Sequence, residues 1–248
     1  MSSSQQSESW LQTGEWRDFP GLVHGFSKRI SDREDALQKI NASDLHLHTL
    51  KQVHGDQIVT VTQHSTMVEK PEADGLISSA PGVLLGIATA DCVPVFMVDI
   101  KTNVVAALHA GWRGTLQGIS VRAIELLCTQ WKVEAHNLRI ALGPAIGGCC
   151  YEVSPEVGET IVKRWRIRGA SAWRPHGNKG FLDLREVNAE QIMESGVPRE
   201  RIHFTGPCTF CSLDFASYRR EGPNAGRQLS VIGWQKAADK IRNPKENR

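Results

Sequence analysis

The sequence contains no long hydrophobic run. Its longest apolar stretches, residues 83–88 and 93–98, fall far short of the about 20 residues that cross a bilayer. No membrane partner is expected. The start of the chain also lacks the cationic and apolar regions of a secretory signal, since residues 1–9 are polar and rich in Ser and Gln. A cytoplasmic location is the expectation that follows. Charge of one sign is scarce: 29 Lys and Arg oppose 27 Asp and Glu, for a formal net charge of +2. Such a balance offers no electrostatic footprint for nucleic acid or an anionic surface, although a local basic pocket for a small anion stays open. Repeats and low-complexity linkers are missing too. With 40% apolar and 23% charged residues, the composition excludes collagen, coiled coil and a disordered chain.

What is present is an even globular texture. At 248 residues the chain can bury a substantial core. We expect one domain over 16–241, between flexible tails at 1–15 and 242–248. Residues 57–62, 83–88, 93–99 and 104–109 are short runs rich in Val and Ile, bounded by Gly, Pro or Asn. They predict strands, several of them buried on both faces, with a turn at 99–103. Leu116, Ile119, Ala123, Leu126 and Leu127 repeat with helical period and predict one helix from Gly114 to near Trp131. Further helices are predicted at 155–165 and 187–195. Gly196-Val197-Pro198 stops the second, with the glycine suited to a left-handed cap. A last strand at 228–234 precedes a helical C-terminal stretch. Strands and helices mix without strict alternation. That predicts an α+β domain of layered, mixed β-sheets with helices packed outside.

Reactive side chains concentrate in three segments: Lys51-Gln52-Val53-His54-Gly55-Asp56, Thr89-Ala90-Asp91-Cys92-Val93-Pro94 and Leu108-His109-Ala110-Gly111-Trp112-Arg113-Gly114. Each sets a His or Cys at the edge of a predicted strand, beside small residues that let a ligand approach the backbone. Two imidazoles and a thiolate suit Zn2+, and three protein ligands leave a fourth tetrahedral position open, as in catalytic zinc. Spacing alone does not separate this from a buried thiol with two packed histidines. Cys149-Cys150 and Pro207-Cys208-Thr209-Phe210-Cys211 hold four of the six cysteines. The second segment matches half of the cytidine-deaminase zinc signature, but none of the nine histidines has Glu two residues on, so that reading fails. These four are expected to be structural thiols, with a redox or metal pair at Cys208 and Cys211 as the alternative.

A set of short blocks resembles the signature of the YfiH, or laccase-domain, family. The blocks are His24-Gly25-Phe26-Ser27-Lys28-Arg29, Gln52-Val53-His54-Gly55, Ala73-Asp74-Gly75, Thr89-Ala90-Asp91-Cys92-Val93-Pro94, His109-Ala110-Gly111-Trp112-Arg113-Gly114 and Gly143-Pro144-Ala145-Ile146-Gly147. Cys150-Tyr151-Glu152-Val153, Asp183-Leu184, Cys208-Thr209, Ser217-Tyr218-Arg219-Arg220 and Gly226-Arg227 continue it in the family's order. The resemblance implies a single α+β domain and a catalytic metal held by His54, Cys92 and His109. It also implies action on purine nucleosides: phosphorolysis of adenosine, guanosine, inosine and methylthioadenosine, and deamination of adenosine. Some members have been called polyphenol oxidases or peptidoglycan-editing factors. One departure stands out. Ile30-Ser31-Asp32-Arg33-Glu34-Asp35 occupies the place of a glycine pair and a longer segment, which bears on the local rim of the pocket.

Phosphorolysis places positive charge on the sugar and negative charge on the departing base. A guanidinium fork suits the attacking phosphate, so Arg29, Arg113, Arg219 and Arg220 are candidate anion contacts, with Arg29 first and Tyr218 beside them as a substrate contact. Asp91 is a candidate for proton transfer or for orienting a ligand. If residues 89–92 were fully extended, however, Asp91 and Cys92 would face opposite ways. The expected cofactor is Zn2+, and the expected partners are a purine nucleoside and phosphate. Two other enzyme classes stay open: a Cys-His hydrolase with Cys92 as nucleophile and His109 or His54 as base, and a copper-dependent phenol oxidase. The oxidase fits poorly with a chain whose one His-x-His pair is His46-Leu47-His48.

Overall fold

The computed structural model describes residues 9–29, 33–65 and 69–236. Its strands and helices run in the order β1 (Trp10–Leu11), β2 (Leu22–Ser27), α1 (Arg33–Gln38), β3 (His46–Thr49), β4 (Ile58–Thr60), β5 (Gly75–Ser78), β6 (Val83–Thr89), β7 (Val93–Asp99) and β8 (Val104–Ala110). Then come α2 (Trp112–Gln117), α3 (Ile119–Trp131), β9 (Arg139–Leu142), β10 (Glu152–Val153), α4 (Pro155–Trp165), β11 (Trp173–His176), β12 (Lys179–Leu182), α5 (Leu184–Glu194), β13 (Ile202–Phe204), α6 (Tyr218–Glu221) and β14 (Gln228–Trp234). Two large mixed sheets form the body, in strand orders β1-β2-β14-β6-β3 and β13-β9-β7-β8-β5-β4. A third, small sheet has the order β10-β12-β11.

The period-2 pattern of the strands explains the layering. On β7, Val93, Val95 and Met97 enter the core beneath the helices, while Phe96 and Val98 enter the layer between the two large sheets. On β8, Val104, Ala106 and Leu108 join the first core, and Val105 and Ala107 join the second. Both faces of these strands are buried, so the sequence reads as a continuous apolar run. Val83, Leu85 and Ile87 of β6 meet that layer from the opposite sheet. Phe26 stacks on Phe96 across it, with ring centroids 4.5 Å apart and planes 13° from parallel. Such a pair adds about 0.5–1.5 kcal/mol beyond the burial of its area.

The β7–β8 hairpin turns where expected, and the Asp99 carboxylate accepts the amide (3.0 Å) and the hydroxyl (2.7 Å) of Thr102. The outer face of the six-stranded sheet is covered by α3, α4 and α5 through Ile119, Ala123, Leu127, Ile161, Val187 and Ile192. A buried polar link ties the helices together. Ser120 donates to Asn188 (2.7 Å), Asn188 donates to the Thr115 hydroxyl (2.9 Å), and Gln191 donates to the Thr115 carbonyl (2.8 Å). It fixes α2, which begins two residues after the end of β8.

The α+β layered architecture is as expected, and several boundaries differ. The single helix predicted from Gly114 is two helices, α2 and α3, broken at Gly118. This residue has φ 88°, and a Cβ on it would sit 2.5 Å from the Trp165 ring. Close approach of Trp165 therefore overrides a continuous apolar period. The second half of the expected N-terminal tail is built into the fold: Trp10 is buried, pairs with Ser27, and donates its indole N–H to the Ala36 carbonyl at 2.7 Å. Helix α5 starts three residues early because the Asp183 carboxylate caps the amides of Arg185 and Glu186. Gly196 has the expected left-handed backbone, φ 95°. The strand predicted at 57–62 is paired only over Ile58–Thr60. The predicted C-terminal helical stretch and tail, and residues 30–32 of the departure from the family pattern, lie outside the described residues. Among the described residues, no helix is long and apolar enough to cross a membrane.

Candidate metal centre and its pocket

Val93 of β7 pairs with Ala110 of β8, and Gly75 of β5 pairs with Leu108. The start of β7, the end of β8 and the start of β5 therefore meet at one end of the six-stranded sheet. His109 shares the parity of Val105 and Ala107 and is 3% exposed. Its Nδ1 lies 2.7 Å from Oδ1 of Asp74, which is fully buried, and its amide donates to the Asp74 carbonyl, also at 2.7 Å. With Nδ1–H given to the carboxylate, Nε2 is the free nitrogen of this ring.

The same carboxylate organises His54. It accepts the amides of Val53 (3.2 Å), His54 (2.9 Å) and Gly55 (2.7 Å). These bonds hold His54 in a left-handed conformation, φ 62°, which costs a residue with a Cβ about 1–2 kcal/mol. Burial alone would raise Asp74. The His109 ring and the loop amides outweigh it and keep the carboxyl below its usual range.

Cys92 arrives by a second left-handed residue, Asp91, with φ 85°. That bend breaks the extended alternation and brings Asp91 and Cys92 to the wall of one cavity. Ligand atoms of His54, Cys92 and His109 all lie within 4.8 Å of one another. The two imidazole rings are 4.8 Å apart and nearly perpendicular, at 78°. Gly111 leaves the space they share: a Cβ there would lie 3.0 Å from Cys92 Sγ and 3.3 Å from His54 Cδ2.

Burial would raise the Cys92 thiol, but hydrogen bonds and charge from His109 and His54 overcome it and pull the group down to about 6. Burial would lower His109, but Asp74 and Cys92 together push it up to about 9. The pair is therefore poised as thiolate and imidazolium when no metal is bound. A thiolate and two imidazoles, one of them braced from behind by a carboxylate, fit a borderline-soft divalent metal with an open coordination position.

The cavity in front of this set measures about 700 Å³, and Gln52, Trp112, Tyr151, Tyr218, Arg219 and Arg227 supply most of its remaining wall. Gln52 is fixed by two bonds to the backbone of Ala88, at 2.8 and 2.9 Å. Tyr151 is pushed up to about 12, first by burial and then by the negative charge of Cys92. It stays protonated at neutral pH, so its hydroxyl keeps a proton to donate. The Arg219 guanidinium lies 5.1 Å from the Tyr151 ring centroid and donates to the Glu152 carbonyl at 2.9 Å.

The structure thus gathers His54, Cys92, His109, Asp91, Tyr218 and Arg219 at one cavity. It does not bring Arg29 or Arg113 to that wall. Arg29 is paired with Glu221 and donates to the carbonyls of Leu213 (3.2 Å) and Phe215 (3.0 Å), so it braces the loop before α6. Arg113 is exposed and lies over the Trp112 ring at 4.8 Å. Asp91 is at the cavity, but its carboxylate already accepts the Thr209 hydroxyl (2.6 Å), the Ser217 hydroxyl (3.1 Å) and the Arg219 amide (2.7 Å). That set of donors suits a brace better than a proton shuttle. Sequence reasoning passed over Asp74, Gln52, Tyr151 and Arg227 as site residues, although each lies within a family-like block.

Known proteins resemble this chain in sequence and in fold. A family model described as multi-copper polyphenol oxidoreductase laccase matches residues 27–235. The chain is 35% identical over 192 residues to the purine nucleoside phosphorylase YlmD of Geobacillus stearothermophilus, covering 74% of this chain and 70% of that one. The crystal structure of that YlmD superposes with a TM-score of 0.82 at 30% identity, over 94% of this chain and 98% of that chain. Identity to the adenosine deaminase RL5 of an unknown prokaryotic organism is 32% over 191 residues, or 73% of this chain and 72% of that protein. The crystal structure of a hypothetical protein YfiH from Bacillus licheniformis gives a TM-score of 0.81 at 25% identity, with 94% and 98% covered. On that match and those likenesses, this chain belongs to the multi-copper polyphenol oxidoreductase laccase family, the family of YfiH and YlmD.

Proposed function

We propose that this chain is a zinc-dependent purine nucleoside phosphorylase. It cleaves adenosine, inosine, guanosine or methylthioadenosine with phosphate, and deaminates adenosine in the same pocket. The observation that carries this reading is the Asp74-braced set of His54, Cys92 and His109, opening on a cavity whose wall includes Arg219 and Arg227. The names of the relatives support it. Its volume lies within the range of small-molecule sites.

His54, Cys92 and His109 would hold the metal. When bound there, zinc supplies a Lewis acid and lowers the pKa of water. The chain's own residues do the rest. Asp74 keeps the proton of His109 on Nδ1, so Nε2 faces inward. Arg219, one of the arginines expected from the sequence to contact the anion, and Arg227 place positive charge where phosphate enters, in the role for which Arg29 is the first expectation. A phosphate oxygen forms the new bond to the ribose anomeric carbon as the bond to the purine nitrogen breaks. The base leaves with the electron pair and takes up a proton. Tyr151, protonated at neutral pH, is positioned to donate a hydrogen bond as that charge develops. Trp112 offers a flat apolar wall for the base.

A second reading has its own support. Asp74, His109 and Cys92 stand in the order of a Cys-His-Asp hydrolase, with the thiol near 6 and the imidazole near 9. The copper-oxidase reading rests on the family's description. Among the described residues, histidines enter a single cluster of ligating groups, fewer than a multicopper centre needs.

Untagged protein incubated with inosine or adenosine, with and without phosphate, separates these readings. The phosphorylase reading expects free base and ribose-1-phosphate, dependent on phosphate and lost with chelator or in Cys92→Ala. Inosine formed from adenosine without phosphate is the deaminase product. Zinc-loaded protein that turns over no nucleoside refutes the proposal. Hydrolysis of an acyl substrate that survives chelator would favour the cysteine nucleophile.

A further inference from the structure

The fold gathers a second group of ligating side chains that the proposed reaction does not use. Cys149 and Cys150 lie in the turn after Gly147 and Gly148. Cys208 and Cys211 lie in the loop after β13. The four sulfur atoms all lie within 4.8 Å of one another, with Cys150–Cys211 at 3.3 Å and Cys149–Cys211 at 3.8 Å. In a tetrahedral site with Zn–S bonds of about 2.3 Å, the sulfur–sulfur edge is about 3.8 Å. The observed spread brackets that edge.

We propose that Cys149, Cys150, Cys208 and Cys211 form a structural tetrathiolate zinc site that clasps two loops at the rim of the cavity. Cys208 and Cys211 have the Cys-x-x-Cys spacing of a zinc knuckle. Cys208 Sγ accepts the Gly147 amide at 3.3 Å. An amide aimed at a sulfur stabilises it as a thiolate and is the outer-layer support expected of a metal ligand. A four-sulfur donor set selects zinc over Mg2+ and Ca2+.

Charge around the loops matches. Four thiolates and Zn2+ leave a net charge of about −2. Three guanidinium groups hold the ligand-bearing segments by their carbonyls: Arg174 on Gly148 (3.4 Å), Arg185 on Gly206 (3.1 Å), and Arg220 on both Thr209 and Phe210 (2.7 Å each). Binding breaks four S–H bonds and forms four S–Zn bonds. The four protons go to solvent, and nothing is oxidised or reduced.

The clasp has consequences for the cavity. Tyr151, on its wall, follows Cys150 directly. Thr209 follows Cys208, and its hydroxyl holds Asp91 at 2.6 Å, beside Cys92. A metal at the four cysteines therefore fixes two parts of the rim that are about 60 residues apart in sequence and are otherwise joined by the Ala145–Cys208 bridge and the Gly147 amide. Exposure of Cys149 and Cys211 gives zinc a way in.

The test is a metal count on untagged, full-length protein purified with reductant. About two zinc ions per chain are expected in the wild type. About one should remain in His54→Ala/His109→Ala and about one in Cys208→Ser/Cys211→Ser. Cobalt added to metal-free His54→Ala/His109→Ala should give the intense charge-transfer absorption of a tetrathiolate. Zinc should also protect Cys149, Cys150, Cys208 and Cys211 of the wild type from N-ethylmaleimide by at least about tenfold in rate. That footprint decides the matter if the double serine variant does not fold. One zinc per chain, lost entirely in His54→Ala/His109→Ala, overturns the proposal. So does a chain two hydrogens lighter until dithiothreitol is added, with the missing alkylation sites mapped to these cysteines. Failure here leaves nucleoside turnover intact, whereas failure of the phosphorylase reading leaves the zinc count at the cysteines intact.

Discussion

Asp74→Asn tests whether the centre depends on one buried carboxylate. The carboxylate accepts four N–H groups: the His109 ring and the amides of Val53, His54 and Gly55. An asparagine of the same shape offers one oxygen and one NH2. If the NH2 replaces Oδ2, it confronts the amides of Val53 and Gly55. If it replaces Oδ1, it confronts the His54 amide and leaves His109 free to move its proton to Nε2, where the metal would bind. Either orientation loses two charge-assisted hydrogen bonds worth about 1.5–3 kcal/mol each, so a destabilisation of about 3–6 kcal/mol is expected. For a chain of this size that lowers the melting temperature by about 6–24 °C. Loss of the brace behind a ligating histidine should weaken zinc by a further about 10–100-fold. Thermal melts of metal-free protein measure the first effect, and competition against a chromogenic chelator measures the second. Wild-type stability together with wild-type zinc affinity would refute the argument that Asp74 organises the site.

In metal-free protein the Cys92 thiol, near 6, should react with iodoacetamide at a rate that levels off above about pH 7, whereas an ordinary thiol keeps accelerating past pH 8; zinc should suppress the reaction, and a rate that climbs through pH 8 would contradict the thiolate assignment. His24 predicts acid sensitivity. It is buried, its Nε2 accepts the Thr13 amide at 3.0 Å, and burial lowers it from 6.5 to about 4. Between those values the unfolded chain holds a proton that the folded chain does not, so stability falls as pH drops from about 6.5 towards 4, by up to about 3 kcal/mol. His24→Gln should flatten that part of the urea-midpoint profile, and an unchanged slope would remove His24 as its cause.

The parts of the fold legible in the sequence are those set by local pattern. Residues 93–99 and 104–110 bury both faces, and their apolar runs say so. The stop at Gly196 follows from a residue that tolerates a positive φ. The break at Gly118 is not local, because Trp165, about 47 residues away, is what enters the space a Cβ would need. The same limit applies at the site. His54, Cys92 and His109 are identified through the family-like blocks they belong to, not through spacing. Asp74 sits in such a block too, but its role depends on β5 pairing with β8 in a register that sets it behind His109. Arg29 carries the right chemistry for phosphate and is drawn away by Glu221, a partner about 190 residues distant. The Cys-x-x-Cys spacing of Cys208 and Cys211 is visible in the sequence. Its meeting with Cys149 and Cys150 is made by the parallel pairing of β9 with β13 and the bridge from Ala145 to Cys208.

Gly111 has a consequence for how this scaffold can change over evolutionary time. A methyl group at that position would be in contact with both the thiolate and an imidazole, filling the opening with carbon. The strands, helices and buried core that hold the centre need none of that opening for themselves. One codon change could therefore turn a reactive cleft into a sealed wall while the surrounding architecture stands. Descendants of this chain that keep the fold but abandon the chemistry have a short route at residue 111, and an alanine there in a related sequence would be a compact sign that the route was taken.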